Sequence, residues 1–125
     1  MSDQPIDVRG VDVPVTAGEA LTSYQFRIVY ISAARTVKLC GTTAYPAGII
    51  QDTPANGKGG NMRITGVSYC EAGAVVSVGY PIGPDSVGRG IHATADGYMI
   101  GVSLTAAGAA GQYFSVVLGA RAAAN

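Results

Sequence analysis

Residues that form turns interrupt this sequence at short intervals, and this spacing constrains the fold more than any other feature. The chain of 125 residues contains 18 glycines and 6 prolines, which supply the positive or fixed φ angles that tight turns need. Between them lie short runs that alternate apolar and polar side chains or are rich in β-branched residues, as strands do. The predicted strands are Ile6–Val15, Tyr24–Ile31, Thr36–Cys40, Met62–Tyr69, Ala74–Val78, Met99–Leu104 and Tyr113–Leu118. Many short strands with frequent turns predict an all-β fold, either a small β-barrel or a β-sandwich.

The beginning of the chain has a different character. Pro5 and Pro14 bracket the alternating segment from Ile6 to Val13, and proline is tolerated at sheet edges rather than in central strands. We therefore expect residues 1–22 to form an extended N-terminal arm or edge strand, residues 23–119 the β-barrel domain, and residues 120–125 a short C-terminal tail. Such an arm can add a strand to a sheet on another molecule. The alternatives are that it pairs with its own barrel or is disordered.

An internal echo connects the middle and the end of the chain. The segment from Tyr45 to Ile49 (YPAGI) has a counterpart 53 residues later in the segment from Tyr98 to Val102 (YMIGV), and Gly66 has one in Gly119. In each copy a strand leads through an Ala/Gly-rich loop into a second strand. The echo predicts a pseudo-two-fold duplication in which each half of the barrel pairs with the other.

Charge is scarce and unevenly placed. Only 13% of the residues are charged and the net charge is +0, about half the usual charged share of a soluble domain. Residues 1–22 carry a small acidic excess and residues 23–69 a basic one, which suits contact between an acidic arm and a basic body. A nucleic-acid-binding protein would need a basic stripe, and no run approaches the ~18 apolar residues of a membrane span. We expect no nucleic acid and no membrane as partners.

The residues that usually carry chemistry are isolated. His92 is the single histidine, Cys40 and Cys70 are the two cysteines, and the acidic residues are scattered, so no metal site, catalytic residue or cofactor is predicted. The cysteines are expected to be small buried hydrophobes, although the sequence leaves a disulfide open. The Gly57–Gly60 run lacks the spacing and the helix of a phosphate-binding loop. An enzyme is the least favoured class.

A succession of motifs nonetheless points to a family. Residues 46–49 read Pro-x-Gly-Ile, residues 63–67 read Arg-Ile-x-Gly-Val, and residues 70–83 read CEAGAVVSVGYPIG. The ending at residues 96–118, DGYMIGVSLTAAGAAGQYFSVVL, spaces glycines and alanines before a Val-x-Leu close. In these features the chain resembles the capsid decoration, or structural cement, proteins of tailed bacteriophages. The acidic beginning and the two cysteines depart from that pattern.

The resemblance implies a β-barrel-like protein, made in the host cytoplasm, that sits on the outer capsid surface of the virion and bridges neighbouring copies of the major capsid protein. It also implies a homo-oligomer, with a trimer favoured, and it brings no catalytic residues. The candidate capsid or subunit interface comprises Pro5, Ile6, Val8, Val11, Val13, Lys58, Arg63 and Arg89. The alternatives are a phage tail or baseplate module and a small-molecule-binding β-barrel.

Overall fold

The computed structural model describes residues 9–94 and 97–119. These residues form nine β-strands and no helix: β1 (Gly10–Ala17), β2 (Ile28–Ala33), β3 (Thr36–Leu39), β4 (Gly48–Ile50), β5 (Gly59–Glu71), β6 (Pro81–Pro84), β7 (Gly90–His92), β8 (Gly101–Ser103) and β9 (Tyr113–Leu118). They pair as one sheet in the order β1-β3-β2-β4-β5-β9-β8-β6-β7, and β1 also pairs with β5. The prediction of an all-β fold is confirmed. Among the described residues no helix could cross a membrane.

The strand β1 joins the two ends of the first half of the sheet. It runs antiparallel to the first part of β5, and its last two residues, Thr16 and Ala17, pair in parallel with Thr36 and Val37 of β3. The pairings β1-β3-β2-β4-β5 and back to β1 therefore form a closed circuit of five strands, the connectivity of a small barrel. The part of the predicted arm that lies within the described residues is thus an integral strand of the body.

The two halves of the sheet repeat one pairing pattern. Repeat one comprises β1 to β4 and residues 59–63 of β5, and repeat two comprises residues 65–71 of β5 and β6 to β9. In repeat one Ile28 pairs with Ile49, and in repeat two Pro81 pairs with Val102, each 53 positions after its counterpart. The hairpins β2–β3 and β6–β7 share the same shift. The echo in the sequence is therefore a structural duplication.

The long strand β5 is shared by both repeats. Its first half pairs with β1, where Val15 faces Gly60, and its second half pairs with β9, where Cys70 faces Phe114 at the equivalent register. A bulge separates the halves, because the partners of β1 pass directly from Thr65 to Arg63. A bulge bends and twists the strand that carries it, so one continuous strand serves two repeats.

Unusual backbone angles recur at equivalent positions. Phe26 and Arg35 have φ angles of 63° and 59°, and their counterparts Gly79 and Gly88 each have a φ of 81°. A positive φ is sterically costly for a side chain with a Cβ, and most of all for a bulky one. Repeat two adopts the shared geometry with glycine, whereas repeat one holds it with larger residues.

Each repeat has its own hydrophobic cluster. The cluster of repeat one consists of Val15, Ala17, Leu21, Val29, Val37, Ile50 and Met62. The second cluster consists of Cys70, Ala72, Val76, Ile82, Ile100, Ala107, Phe114, Val116 and Leu118, together with Ile28, Cys40 and Ile49 from repeat one. Three side chains of repeat one therefore complete the core of repeat two, which binds the repeats into one body.

The two cores exchange a large and a small residue at equivalent positions. Repeat one places Val37 on β3 and Gly60 on β5, whereas repeat two places Gly90 and Phe114 there. A Cβ added at Gly90 would lie 2.8 Å from Sγ of Cys70 and 2.9 Å from Cζ of Phe114, so the phenyl ring and the thiol together occupy the space that a side chain on β7 would need. Close packing requires such compensation, because interiors tolerate neither voids nor overlap.

Main-chain hydrogen bonds and one ion pair join the repeats. The Ile28 N–H donates to the Gly88 carbonyl oxygen at 2.7 Å, and the Glu71 N–H donates to the Phe26 carbonyl oxygen at 3.1 Å. Arg27, between these two positions, pairs with Glu71 at 3.2 Å, and both side chains are largely buried. The junction is therefore polar at its rim and apolar inside.

Three sequence expectations about strands were wrong. Residues 74–78 form no strand, and Val76 makes a single bridge to Ala107. Residues 81–84 and 48–50, which are absent from the predicted strands, form β6 and β4. Pro81 is the first residue of β6, a place where proline removes no needed ladder hydrogen bond.

Candidate interaction surfaces

Two of the predicted interface arginines make ion pairs within the chain. The Nε of Arg63 lies 2.7 Å from a carboxylate oxygen of Asp12, and its Nη1 donates to the Val67 carbonyl oxygen. The Nε of Arg89 lies 3.1 Å from Asp85, four residues earlier. Each guanidinium therefore has a partner within the chain, and both arginines contribute to the stability of the fold.

The remaining predicted interface residues are dispersed. Val11 is exposed on β1, Val13 packs partly against the core of repeat one, and Lys58 is exposed in the turn before β5. Pro5, Ile6 and Val8 lie outside the described residues. The eight residues therefore do not form one described surface, and their role at an interface stays a prediction.

A tyrosine patch lies where the two repeats meet. It consists of Tyr30, Ile31, Tyr45, Pro46 and Tyr98; the first four of these line a groove of about 410 Å³. The ring centroids of the equivalent residues Tyr45 and Tyr98 are 4.5 Å apart, and Tyr45 is 75% exposed. A hydrogen bond donated by the Tyr98 hydroxyl to Tyr45 raises the pKa of Tyr98. Tyrosine suits interfaces because its ring is apolar and its hydroxyl is polar.

A valine row crosses the outer face of repeat two. Val67, Val117, Val102 and Pro81 are successive partners on β5, β9, β8 and β6, so their side chains lie side by side on one face. Val117 is 41% exposed, and the other three are half-buried. An apolar row on an outer sheet face is a candidate contact surface.

Aromatic side chains extend the valine row at one end. Tyr69 and Tyr113 are exposed on β5 and β9, and the ring of Phe26 meets both edge-on, with centroids 5.6 and 5.8 Å away. Such edge-to-face contacts add stability beyond the area they bury. They offset the positive φ of Phe26, and they explain why this position holds phenylalanine where repeat two has glycine.

The side chains that most often carry chemistry, His92, Cys40 and Cys70, have structural roles here. The Nε2 of His92 accepts a hydrogen bond from the Ser77 N–H at 2.9 Å, and its ring stacks on Tyr80. Cys40 and Cys70 are buried free thiols, and burial raises the pKa of each to about 12. Within the described residues, no group of histidine, cysteine or acidic side chains has the arrangement of a metal site.

The alternative function, a small-molecule-binding barrel, requires a cavity inside the fold, but side chains occupy the interior of each repeat. The side chains of the two clusters fill the centres of the repeats. A pocket of about 190 Å³ lies instead on the outer side of the β6–β7 hairpin, and its lining includes Thr42, Ile91 and Tyr98. Ligand pockets usually measure about 300–1,000 Å³, so this pocket is smaller than a typical ligand site.

The residues that sequence reasoning missed differ in how they could have been found. The tyrosine patch becomes visible when residues 53 positions apart are compared, since Tyr45 and Tyr98 are equivalents. The valine row needs the strand pairings, because Val67 and Val117 lie 55 and 54 positions after Asp12 and Arg63. The spacing was present in the sequence, but it was used there to predict the fold rather than to compare the two outer faces.

Comparisons with known proteins agree with this architecture. The chain is similar in structure to the head fiber gp8.5 N base of bacteriophage phi29, with a TM-score of 0.69, 15% sequence identity, and coverage of 87% of this chain and 93% of that one. At this identity the similarity shows the fold alone. A comparison with curated proteins found no match. The model of a family described as "Phage cement protein" matches residues 6–119. This span includes both repeats. The chain therefore belongs to the phage cement protein family, and it is a structural protein associated with the capsid of a bacteriophage virion.

Proposed function

We propose that the protein decorates the outer surface of an icosahedral phage head, where it binds the major capsid protein and stabilises contacts between neighbouring capsid subunits. The observation that carries this proposal is the family match over residues 6–119. The largely buried ion pair of Arg27 and Glu71 and the structural roles of His92 and both cysteines support a scaffold rather than an enzyme. A protein that binds only the assembled head stabilises it by mass action, because the head must release it before it can come apart.

The tyrosine patch supplies the surface for the head in this proposal. It combines the exposed ring of Tyr45 and the half-buried ring of Tyr30 with Ile31 and Pro46 in a groove, and aromatic residues are enriched at binding hot spots. The rings come from both repeats, so contact at the patch also holds the repeats together. Each contact is small, but a head offers many equivalent sites, and neighbouring contacts reinforce one another.

Co-sedimentation with expanded, undecorated heads tests the function. The purified protein is titrated against heads, and bound copies are counted by quantitative gel against the major capsid protein. Saturation at a number comparable with the copies of that protein, or at a simple fraction of it, supports decoration. Absence of binding, or only a handful of copies, would sink the proposal and favour a tail or baseplate module.

A matched pair of variants tests the surface. Tyr45→Ser removes the most exposed ring of the patch, and Val78→Ser changes a valine of the β5–β6 loop that is also exposed. We expect Tyr45→Ser to weaken binding to heads by at least about tenfold and Val78→Ser to leave it unchanged. Equal binding by both variants would remove the patch from the proposal. Deleting residues 1–8, which leaves β1 intact, tests the predicted arm in the same assay.

A further inference from the structure

Strand β2 extends beyond the strand that pairs with it on one side. It spans Ile28–Ala33, but β4 pairs only with its first two residues. The Ala47 N–H still donates to the Val29 carbonyl oxygen, at 2.9 Å, whereas the residue before it is Pro46, which has no N–H. The edge of β2 is therefore open from Ile31 onward.

The main chain of Ile31 points toward this open edge. Ile31 pairs with Val37 of β3, and the Val37 carbonyl oxygen accepts a hydrogen bond from the Gly18 N–H at 2.8 Å on the far side of β3. In an antiparallel ladder, pairs that exchange hydrogen bonds alternate with pairs whose N–H and C=O groups point away from each other. Ile31 and Val37 form a pair of the second kind. Among the described residues, no hydrogen bond satisfies the N–H and C=O of Ile31 on the open side.

A groove runs beside this edge. Tyr30 and Ile31 form one wall and residues 44–47 form the other, with a volume of about 410 Å³ between them. Ile31 is 56% exposed, and none of the six lining residues carries a charge. The groove therefore combines apolar walls with a free main-chain donor and acceptor, the features by which a sheet edge binds an extended polypeptide.

Repeat two closes the equivalent edge. The counterpart of Ile31, 53 positions later, is Pro84, which is buried and has no N–H. The equivalent groove, lined by Pro84 and Tyr98 among others, measures only about 190 Å³. Proline on an edge strand protects it from pairing with another chain. Repeat one thus presents a donor and an exposed side chain where repeat two presents neither.

We propose that the groove binds an extended segment of the major capsid protein, which adds a strand to β2 beside Ile31. This inference rests on the proposed function and specifies how the tyrosine patch contacts the head. The segment is uncharged where it enters the groove, because a charge between uncharged walls would lose its water without gaining a partner. Main-chain hydrogen bonds to Ile31 fix its register, and the rings of Tyr30 and Tyr45 contact its side chains.

The shape of the groove favours a single segment over the sheet edge of a second copy of this chain. Paired strands lie only about 4.8 Å apart, so a strand bonded to Ile31 must lie inside the groove. There it has β2 on one side and residues 44–47 on the other, which leaves no room for the rest of a sheet. The occupant is therefore a segment without strand partners of its own at that point.

Three variants of Ile31 test the contact by co-sedimentation with expanded heads. Ile31→Pro removes the N–H and copies Pro84 of repeat two, Ile31→Ala keeps the N–H and removes most of the side chain, and Ile31→Val is the matched control. We expect Ile31→Pro to weaken binding by at least about tenfold and by more than Ile31→Ala does, and Ile31→Val to bind as the wild type does. Near-ultraviolet circular dichroism checks that each variant is folded.

Hydrogen–deuterium exchange of the wild type gives a second measurement that does not depend on the folding of a variant. We expect the part of β2 that contains Ile31 to exchange at least about tenfold more slowly on heads than in the free protein. Residues 74–78, which form no strand, serve as the control and should exchange equally in both.

The contact is refuted if a folded Ile31→Pro binds as tightly as Ile31→Ala, or if exchange at Ile31 does not slow on heads. Slow exchange at Ile31 in the free protein also overturns it, because this chain or a second copy would then fill the groove. A wild type that binds no heads refutes the proposed function and this contact together. A wild type that decorates heads while Ile31 stays unprotected refutes this contact alone.

Discussion

Replacing Arg27 tests whether the ion pair at the junction holds the two repeats together. The guanidinium donates to both carboxylate oxygens of Glu71, at 3.3 and 3.2 Å, and to the Val87 carbonyl oxygen at 2.9 Å. It also lies 4.9 Å from the ring centroid of Tyr24. Arg27→Met keeps most of the side-chain volume and removes all of these contacts, leaving the carboxylate of Glu71 without its partner.

The expected cost follows from the burial of the pair. The side chains of Arg27 and Glu71 are 11% and 17% exposed. Removing one partner of a fully buried pair costs about 3–5 kcal/mol, because the remaining charge stays desolvated. Since water still reaches part of Glu71, we expect Arg27→Met to lower the free energy of unfolding by about 2–4 kcal/mol.

Urea unfolding, followed by tyrosine fluorescence and circular dichroism, measures this cost. Arg89→Met is the control, because its ion pair with Asp85 is more exposed and is expected to contribute less than about 1 kcal/mol. Adding Glu71→Leu to Arg27→Met should restore part of the loss, since the orphaned carboxylate is removed. The reasoning is refuted if Arg27→Met costs no more than Arg89→Met, or if the second substitution adds its own full cost.

Three further predictions concern the core and the thiols. Phe114→Ala should lower the free energy of unfolding by about 3–5 kcal/mol, and Gly90→Ala should lower it by about 1–3 kcal/mol. In urea titrations the double variant should lose less than the sum of the two, because alanine at position 114 makes room for the methyl group at position 90. Gly88→Ala should destabilise by more than about 1 kcal/mol, since φ is 81° and a Cβ would lie 2.6 Å from the Ile28 carbonyl oxygen; a cost near zero would contradict the backbone geometry. Burial raises the pKa of Cys40 and Cys70 from 9.0 to about 12, so the unfolded chain loses its thiol protons at a lower pH than the folded chain. The free energy of unfolding should therefore be constant below pH 9 and fall between pH 9 and 12 by about 1.4 kcal/mol per pH unit for each thiol. Chemical denaturation across that pH range checks the slope, and prompt reaction of native protein with a thiol reagent at pH 8 would show that the cysteines are not buried.

The sequence predicted the class of fold because turn residues and alternation are local signals. The strands β3 and β9 were placed within one residue, because β3 alternates polar and apolar residues, β9 is rich in aromatic and β-branched residues, and a glycine follows each closely. Strand β6 was missed because Pro81 and Pro84 look like turn residues, and only the pairing with β7 and β8 shows that they begin and end a strand. Tyr24–Ile31 was predicted as one strand, but the positive φ of Phe26 delays β2 until Ile28, and the contacts that offset the cost of this angle come from Tyr69 and Tyr113, which are distant in sequence.

The interface residues could be predicted less well for a similar reason. Arg63 and Arg89 attracted attention as basic residues, and nothing near them in sequence shows that Asp12 and Asp85 neutralise them. The valine row is assembled from four strands, so no stretch of the sequence contains it. Only a comparison of the two repeats shows that Val67 and Val117 occupy the positions that the ion pair of Asp12 and Arg63 occupies in repeat one.

The proline at the start of β6 has a consequence for how copies of this chain can join one another. A fold made of two like units can in principle continue from molecule to molecule, with the hairpin of one docking on the strand of the next, and contacts of that head-to-tail kind produce open filaments. Here Pro81 lacks the donor, and the Arg35 carbonyl is already occupied. Hairpin docking therefore ends after one step, inside each chain. At Pro81 the chain therefore lacks the main-chain donor that would extend its repeat pattern into a fibre.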